Sequence, residues 1–235
     1  MHPIQRPIHL LIEDQVRRWE ILGEIHARAY MVQPVIAISR LPGCAGRLVA
    51  EELSRLMGFE LFDKELIDRI AERAHMSAEE VSAPDEKGRS RIEEFVDSLI
   101  RQRYAGEDYF RHLCRAVLAV AKRGRVVILG RGASFILPPR TCLRVLLVAP
   151  LPVRILSLGR RLGIEPEEAR RRILRVEADR RSFVMRHFRR DLTDPSAYDL
   201  ALNTEEAGVS DTVDAIRLAW SLKCALRRAE AGART

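Results

Sequence analysis

The stretch from Val35 to Glu52, VIAISRLPGCAGRLVAEE, constrains the fold of this chain more than any other. A short apolar run, Val35-Ile36-Ala37-Ile38, ends in Ser39-Arg40. A turn carrying Pro42, Gly43 and Gly46 follows, and Val49, Leu53 and Leu56 then recur at helical spacing. The pattern predicts strand, tight loop and helix. In such a unit the loop amides and the first free N–H groups of the helix converge on one spot, and the glycines let an anion approach the backbone. A phosphate suits that spot. The other reading is an ordinary βα turn, in which glycines are common, and these residues alone leave both readings open.

The Walker A pattern, Gly-x-x-x-x-Gly-Lys-Ser/Thr, is not intact here. Its lysine reaches the outer phosphates and its hydroxyl holds magnesium. Counting back from Gly46 puts Leu41 at the first glycine, Arg47 at the lysine and Leu48 at the hydroxyl. Sliding the register by one puts Gly46 at the lysine and Arg47 at the hydroxyl.

At 235 residues with 47% apolar side chains, the chain can bury a sizeable core as one α/β domain or two small ones. No apolar run approaches the ~18 residues of a membrane helix, and the charged N-terminal stretch lacks the apolar centre of a signal peptide. We read the protein as cytoplasmic, with no membrane partner. Cys44, Cys114, Cys142 and Cys224 lie far apart without a CxxC pair, which argues against structural zinc or a disulfide framework. The net charge of +7 is carried mostly by arginine, whose planar fork grips phosphate oxygens in pairs. Small anionic partners are therefore expected. Nucleic acid is not, because aromatics make up only 6% and no basic stripe is interleaved with stacking residues. Coding bias is the bland account of the same arginines.

Residues 8 to 30 predict an amphipathic helix with Ile12, Val16, Trp19, Leu22 and Ile25 on one side. We expect this extension, residues 1–33, to pack on the domain, on a second copy in a homodimer or on a protein partner. Gln33-Pro34 breaks it from the strand. Gly58 closes the first core helix, and Phe59 to Phe62 predicts a short second strand leading to Asp63. That residue is either an N-cap or a carboxylate at the carboxyl end of a strand, where open parallel sheets bind ligands. From Met76 to Ala121 the pattern is helical, with Ile92, Phe95, Leu99 and Ile100 on one helix face and Phe110, Leu113, Cys114 and Val117 on another. Val126-Val127-Ile128-Leu129 predicts a strand buried on both faces. It ends in Gly130-Arg131-Gly132, an arginine placed to meet an anion.

Leu143 to Ala149 predicts a further buried strand. Helices follow from about Val153 to Arg161 and from Pro166 onward, the latter with Glu167 and Glu168 in its first turn. Of Arg172, Arg175, Arg180 and Arg181, most form a solvated face, and one or two closing over a phosphoryl group is the sharper alternative. Tyr198 to Asn203 predicts the last strand, with Asn203-Thr204 at its carboxyl end. A final helix carries Val209, Val213, Ile216 and Trp220, and the chain is expected to fray from about residue 226.

Ile38-Ser39-Arg40 with Gly43, Gly46 and Arg47, Phe62 to Ile67, Gly130-Arg131-Gly132-Ala133, Val148-Ala149-Pro150 followed by Arg154, and Tyr198-Asp199-Leu200 with Asn203-Thr204 occur in an order and spacing that carry a resemblance. Together they resemble the cytidylate-kinase-like family of P-loop nucleoside monophosphate kinases, from about Val35 to Trp220. The resemblance implies a P-loop kinase-like α/β domain over residues 34–225, with a parallel sheet of about five strands flanked by helices. It also implies a helical acceptor arm over about 76–122, a lid over about 153–190, and MgATP as donor. By position, Gly43, Cys44, Ala45, Gly46 and Arg47 would cradle the donor phosphates. Arg131 would match the arginine of the family's Gly-Arg-Asp acceptor motif, whose aspartate is Gly132 here. Glu177 with Arg180 is similar to the lid's acidic-x-x-Arg element. We place Asp63, Arg131, Arg154 and Arg181 with the acceptor, and Arg40, Arg47 and Arg180 with catalysis, Arg40 or Arg47 standing in for the missing lysine. A kinase-like module that binds nucleotide without turning it over, and acts on a protein partner, is the alternative.

Overall fold

The computed structural model describes residues 34–69 and 108–232. The expected N-terminal helix and the arm segment from 76 to 107 lie outside them. The chain divides into two units, Met1–Val32 with Glu65–Lys122, and Gln33–Lys64 with Arg123–Thr235. In the first, helix α2 (Asp108–Lys122) buries Phe110, Leu113, Cys114 and Val117, the face that its periodicity marks. Residues 65–69 are helical, and Tyr109 Oη donates to Asp68 Oδ1 at 3.0 Å.

The second unit is a five-stranded sheet, all parallel, in the order β2-β3-β1-β4-β5. Its strands are β1 (Val35–Arg40), β2 (Glu60–Phe62), β3 (Val126–Leu129), β4 (Cys142–Val148) and β5 (Leu200–Asn203). The continuous apolar runs take the inner places. Val35 to Ser39 and all of β3 are buried, as a strand covered on both faces requires. Helix α1 (Gly46–Met57) lays Val49, Ala50 and Leu53 on one face of the sheet, beside Val213 and Ile216 of the last helix, α6 (Thr204–Gly232, with a non-helical residue at Gly208). It stops at Gly58, which adopts the left-handed conformation and returns its amide to Ser54. A single core truncation such as Leu53→Ala is worth about 2–5 kcal/mol.

Two prolines of the sequence, Pro150 and Pro166, stand at helix starts. Helix α4 (Leu151–Leu162) and helix α5 (Pro166–Phe188) each carry proline in the first turn, and α5 has Glu167 and Glu168 there as well. Leu158, Ala169 and Ile173 form a small core of their own between them. A short helix, α3 (Ala133–Ile136), follows β3. Helix α6 runs on to Gly232, past the point where fraying is expected, and among the described residues no helix is long and apolar enough to cross a membrane.

On the β4–β5 side, Asp199 accepts from the Arg144 amide at 2.8 Å, from Arg144 Nη2 at 2.9 Å and from Lys223 Nζ at 2.6 Å. Burial alone would raise the Asp199 carboxyl. The bonds from Arg144 and Lys223 outweigh it and hold the group below the ordinary value. A depressed folded-state pKa stabilises the fold above the unfolded value and loses that contribution as pH falls through the folded one. Asp199→Asn is therefore expected to cost about 2 kcal/mol at pH 7. In urea titrations the gap from wild type should begin to narrow below about pH 4 and keep narrowing as pH falls through the depressed folded-state value. A gap as wide at about pH 2 as at pH 7 would count against the network.

Candidate functional site: the loop after the first strand

The loop between β1 and α1 leaves the sheet with Leu41, which is buried and still donates to Leu147 at 3.0 Å. Gly43 then takes φ +87°, and Ala45, the residue before the helix, takes φ 55° and ψ 11°. A left-handed alanine costs about 1–2 kcal/mol and persists only where its surroundings over-determine it. Ala45 offers the helix no side-chain cap. Burial pushes the Cys44 thiol up, against the opposing influence of the Gly46 amide and of the nearby Arg40, Arg180 and Arg154. Among the described residues no acceptor meets the amides of Gly43, Ala45 or Leu48.

Three side chains hold the loop's carbonyls. Arg180 Nη1 donates to the Arg40 carbonyl at 2.8 Å, Arg154 Nη1 to the Pro42 carbonyl at 3.3 Å, and Thr204 Oγ1 to the Cys44 carbonyl at 3.0 Å. The C=O and N–H of a trans peptide point in opposite directions. Fixing the Pro42 carbonyl on the protein side therefore aims the Gly43 amide the other way, and fixing the Cys44 carbonyl does the same for Ala45. The two amides aimed outward are among those that meet no acceptor among the described residues. Alternate carbonyl clamps of this kind give the loop a geometry suited to an anion.

The clamps come from different elements. Arg154, on α4, is buried; its Nε donates to Ala149 at 2.9 Å and its Nη1 also meets Glu177 Oε2 at 2.8 Å. Glu177, on α5, additionally pairs with the half-exposed Arg181 at 3.0 Å. The sequence groups Arg154 and Arg181 with the acceptor, and the structure puts Arg154 beneath the loop with its fork committed to protein oxygens. Gly43 is the residue that permits this approach, because a Cβ there would stand 2.6 Å from the Arg154 carbonyl oxygen.

Arg40, Arg131 and Arg180 meet at the carboxyl ends of β1 and β3. The Arg40 stem packs on Gly46, and its Nη1 would lie 2.1 Å from a Cβ at Gly130. Gly130, Arg131 and Gly132 all have positive φ, of 87°, 53° and 66°. A strained non-glycine residue between two glycines is the second outlier that converges here. Burial lowers the Arg180 pKa, and the like charge of Arg131 lowers it further, against Cys44 and Glu177. An arginine stays charged through such shifts, and guanidinium groups crowded in this way can bind several phosphate oxygens at once.

The remaining expected residues are placed otherwise. Arg47 is exposed and pairs with Glu51 at 2.8 Å and with Asp63 at 3.6 Å. Asp63 stands just before the helical residues 64–69, the N-cap position. A Cβ at Gly132 would come within 2.8 Å of the Phe188 ring, so a side chain there would require that ring to move. Phe188 belongs to an aromatic group with Phe135 at 5.3 Å and Phe183 at 6.2 Å, and Phe135 also meets Tyr198. Sequence reasoning passes over this group, because Phe135, the Phe183 and Phe188 of α5, and Tyr198 lie on three separate stretches that share no local pattern. It passes over the Thr204 clamp too, although Asn203-Thr204 at a strand's carboxyl end is the signal for it.

The nest fits phosphate. It offers magnesium no ligand of its own: the exposed Leu48 occupies one candidate hydroxyl position and Arg47 the other, and the described residues contain no group of three or more His, Cys, Asp or Glu able to hold a metal.

Residues 35–206 match the model of a family described as the cytidylate kinase-like family. The chain is 30% identical over 200 residues to a cytidylate kinase of Methanopyrus kandleri, covering 81% of this chain and 94% of that protein. It is 33% identical over 175 residues to a cytidylate kinase of Thermococcus sibiricus, covering 74% and 81%. A crystal structure of an uncharacterized protein from Eubacterium ventriosum shares the fold, with a TM-score of 0.66 at 20% identity over 80% of this chain and 98% of that one.

Proposed function

The chain belongs to the cytidylate kinase-like family, and from that membership we propose that it moves a phosphoryl group from MgATP to CMP or a related nucleoside monophosphate. The observation that carries the reading is the clamped loop, with the Gly43 and Ala45 amides turned outward beside Arg40, Arg131 and Arg180. In this reading the donor's phosphates rest on those amides and on the start of α1, where the helix dipole adds to their attraction. Arg131 holds the acceptor phosphate. An acceptor phosphate oxygen attacks the γ-phosphorus in line, and the bond to the β–γ bridging oxygen breaks to leave the donor diphosphate. The acceptor is already ionised and requires no general base. Arg180 and Arg40 stabilise the charge spread over the transferring oxygens, so positioning and electrostatics supply the rate. Magnesium, when bound with the nucleotide, would neutralise phosphate charge.

The expected result is ATP turnover with one or more of CMP, UMP, AMP and GMP in a coupled assay. Arg131→Ala should lower kcat/KM for the acceptor by about 100-fold, the usual worth of a charge-stabilising contact. Turnover that survives Arg131→Ala unchanged would remove Arg131 from the acceptor site. A second reading, a nucleotide-binding module without turnover, is favoured by Arg47, which occupies one lysine register and is paired with Glu51 and Asp63. Calorimetric ATP binding with no product from any acceptor would decide for that reading.

A further inference from the structure

We infer that Thr204 is a positioning residue of the phosphate loop, one that aims the Ala45 amide by holding the Cys44 carbonyl; the inference rests on the phosphate-binding reading of that loop. Thr204 opens α6 directly after β5. Its hydroxyl lies 3.0 Å from the Cys44 carbonyl and 3.3 Å from the Val148 carbonyl. One proton shared between two acceptors ties the loop to the end of β4. The neighbouring Asn203 fixes the helix start, since its Oδ1 accepts the Glu205 amide at 3.1 Å.

The Cys44 carbonyl and the Ala45 amide are two ends of one rigid peptide plane. A hydroxyl on the carbonyl end therefore sets the direction of the amide end. Every other polar atom of Cys44 is engaged as well: its amide donates to the Leu41 carbonyl at 3.4 Å, and its thiol to the Leu147 carbonyl at 3.5 Å. With the hydroxyl gone, the Cys44 carbonyl is left short of a partner. The peptide plane can then rotate, and the left-handed Ala45 is free to relax to an ordinary conformation.

The test compares Thr204→Val, which keeps the shape and loses the hydroxyl, with Thr204→Ser, which keeps the hydroxyl. Calorimetric titration of the full chain with inorganic tripolyphosphate should show about tenfold weaker binding in T204V, the fold-change equivalent of a typical lost hydrogen bond. T204S should lie within about twofold of wild type. In turnover, T204V should raise the KM for ATP more than it lowers kcat. Unchanged tripolyphosphate affinity in T204V, T204S as weak as T204V, or a wild type that does not bind tripolyphosphate would each overturn the assignment. If T204V does not fold, T204A replaces it against T204S with the same outcomes. Tripolyphosphate involves no acceptor, so weakened binding in T204V beside a wild type with no turnover would sink the kinase reading and leave the positioning role standing. Turnover in wild type with unaltered T204V affinity would do the reverse.

Discussion

Gly43→Ala is expected to abolish measurable ATP binding and to lower unfolding stability by about 3 kcal/mol. Two costs coincide at this position. The residue holds φ +87°, which alone penalises an L side chain by about 1–2 kcal/mol. The added Cβ would also stand 2.6 Å from the Arg154 carbonyl oxygen and 2.9 Å from its Cβ, the former a backbone atom in the first turn of α4 that cannot swing aside. Relief requires the loop to lift away from Arg154, and lifting it breaks the clamp on the Pro42 carbonyl that aims the Gly43 amide. Gly163→Ala is the control. Gly163 has a similar positive φ of 63°, and nothing lies within 4 Å of its would-be Cβ. It should cost only about 1 kcal/mol and leave ATP affinity intact. Denaturant unfolding and calorimetry on both variants check this, and G43A binding ATP like wild type would mean that the loop amides are not the nucleotide's anchor.

The contrast between those glycines shows what a sequence discloses and what it hides. The strand-loop-helix unit was legible because apolar periodicity switches from a continuous run to helical spacing across a glycine turn, and β1, α1, β3 and β4 fall within a residue or two of where that pattern sets them. Helix α3 was not legible, because four residues are too few to show a period. The position of the loop was legible as well, but its conformation was not: nothing in the residue type of Ala45 announces a left-handed backbone. Arg154 hid for a different reason. The resemblance sets it with the acceptor, and no local pattern shows that its fork is engaged by a carboxylate in the next helix and a carbonyl in a loop far back along the chain. Composition could say that phosphate was the expected partner. Only the packing of α4 and α5 could say which arginines support the site and which face it.

Arg154 carries the second large prediction. Arg154→Ala should cost about 3–5 kcal/mol of stability, because it removes the buried cation beside Glu177, leaving that carboxylate to the half-exposed Arg181, and takes the donor from the Pro42 and Ala149 carbonyls. Arg154→Lys should recover little. Three acceptors in different directions are served by one planar fork, and a single ammonium cannot reach them together. The companion change Glu177→Gln separates charge from shape, keeping a polar partner for the Arg154 fork while removing the carboxylate. If the pair couples as its 2.8 Å contact implies, the double variant should be less destabilised than the sum of the two single ones by about 1–3 kcal/mol. Additive effects would mean that Arg154 works through the carbonyls alone. The consequence for function follows from where the fork points. It holds α5, the helix that carries Arg180, to the same loop whose Gly43 amide it aims, so one side chain sets both the nest and the cation above it. ATP affinity and kcat should therefore fall together in R154K, whereas loss of an arginine that only faced the ligand would leave the loop formed and the fold at wild-type stability.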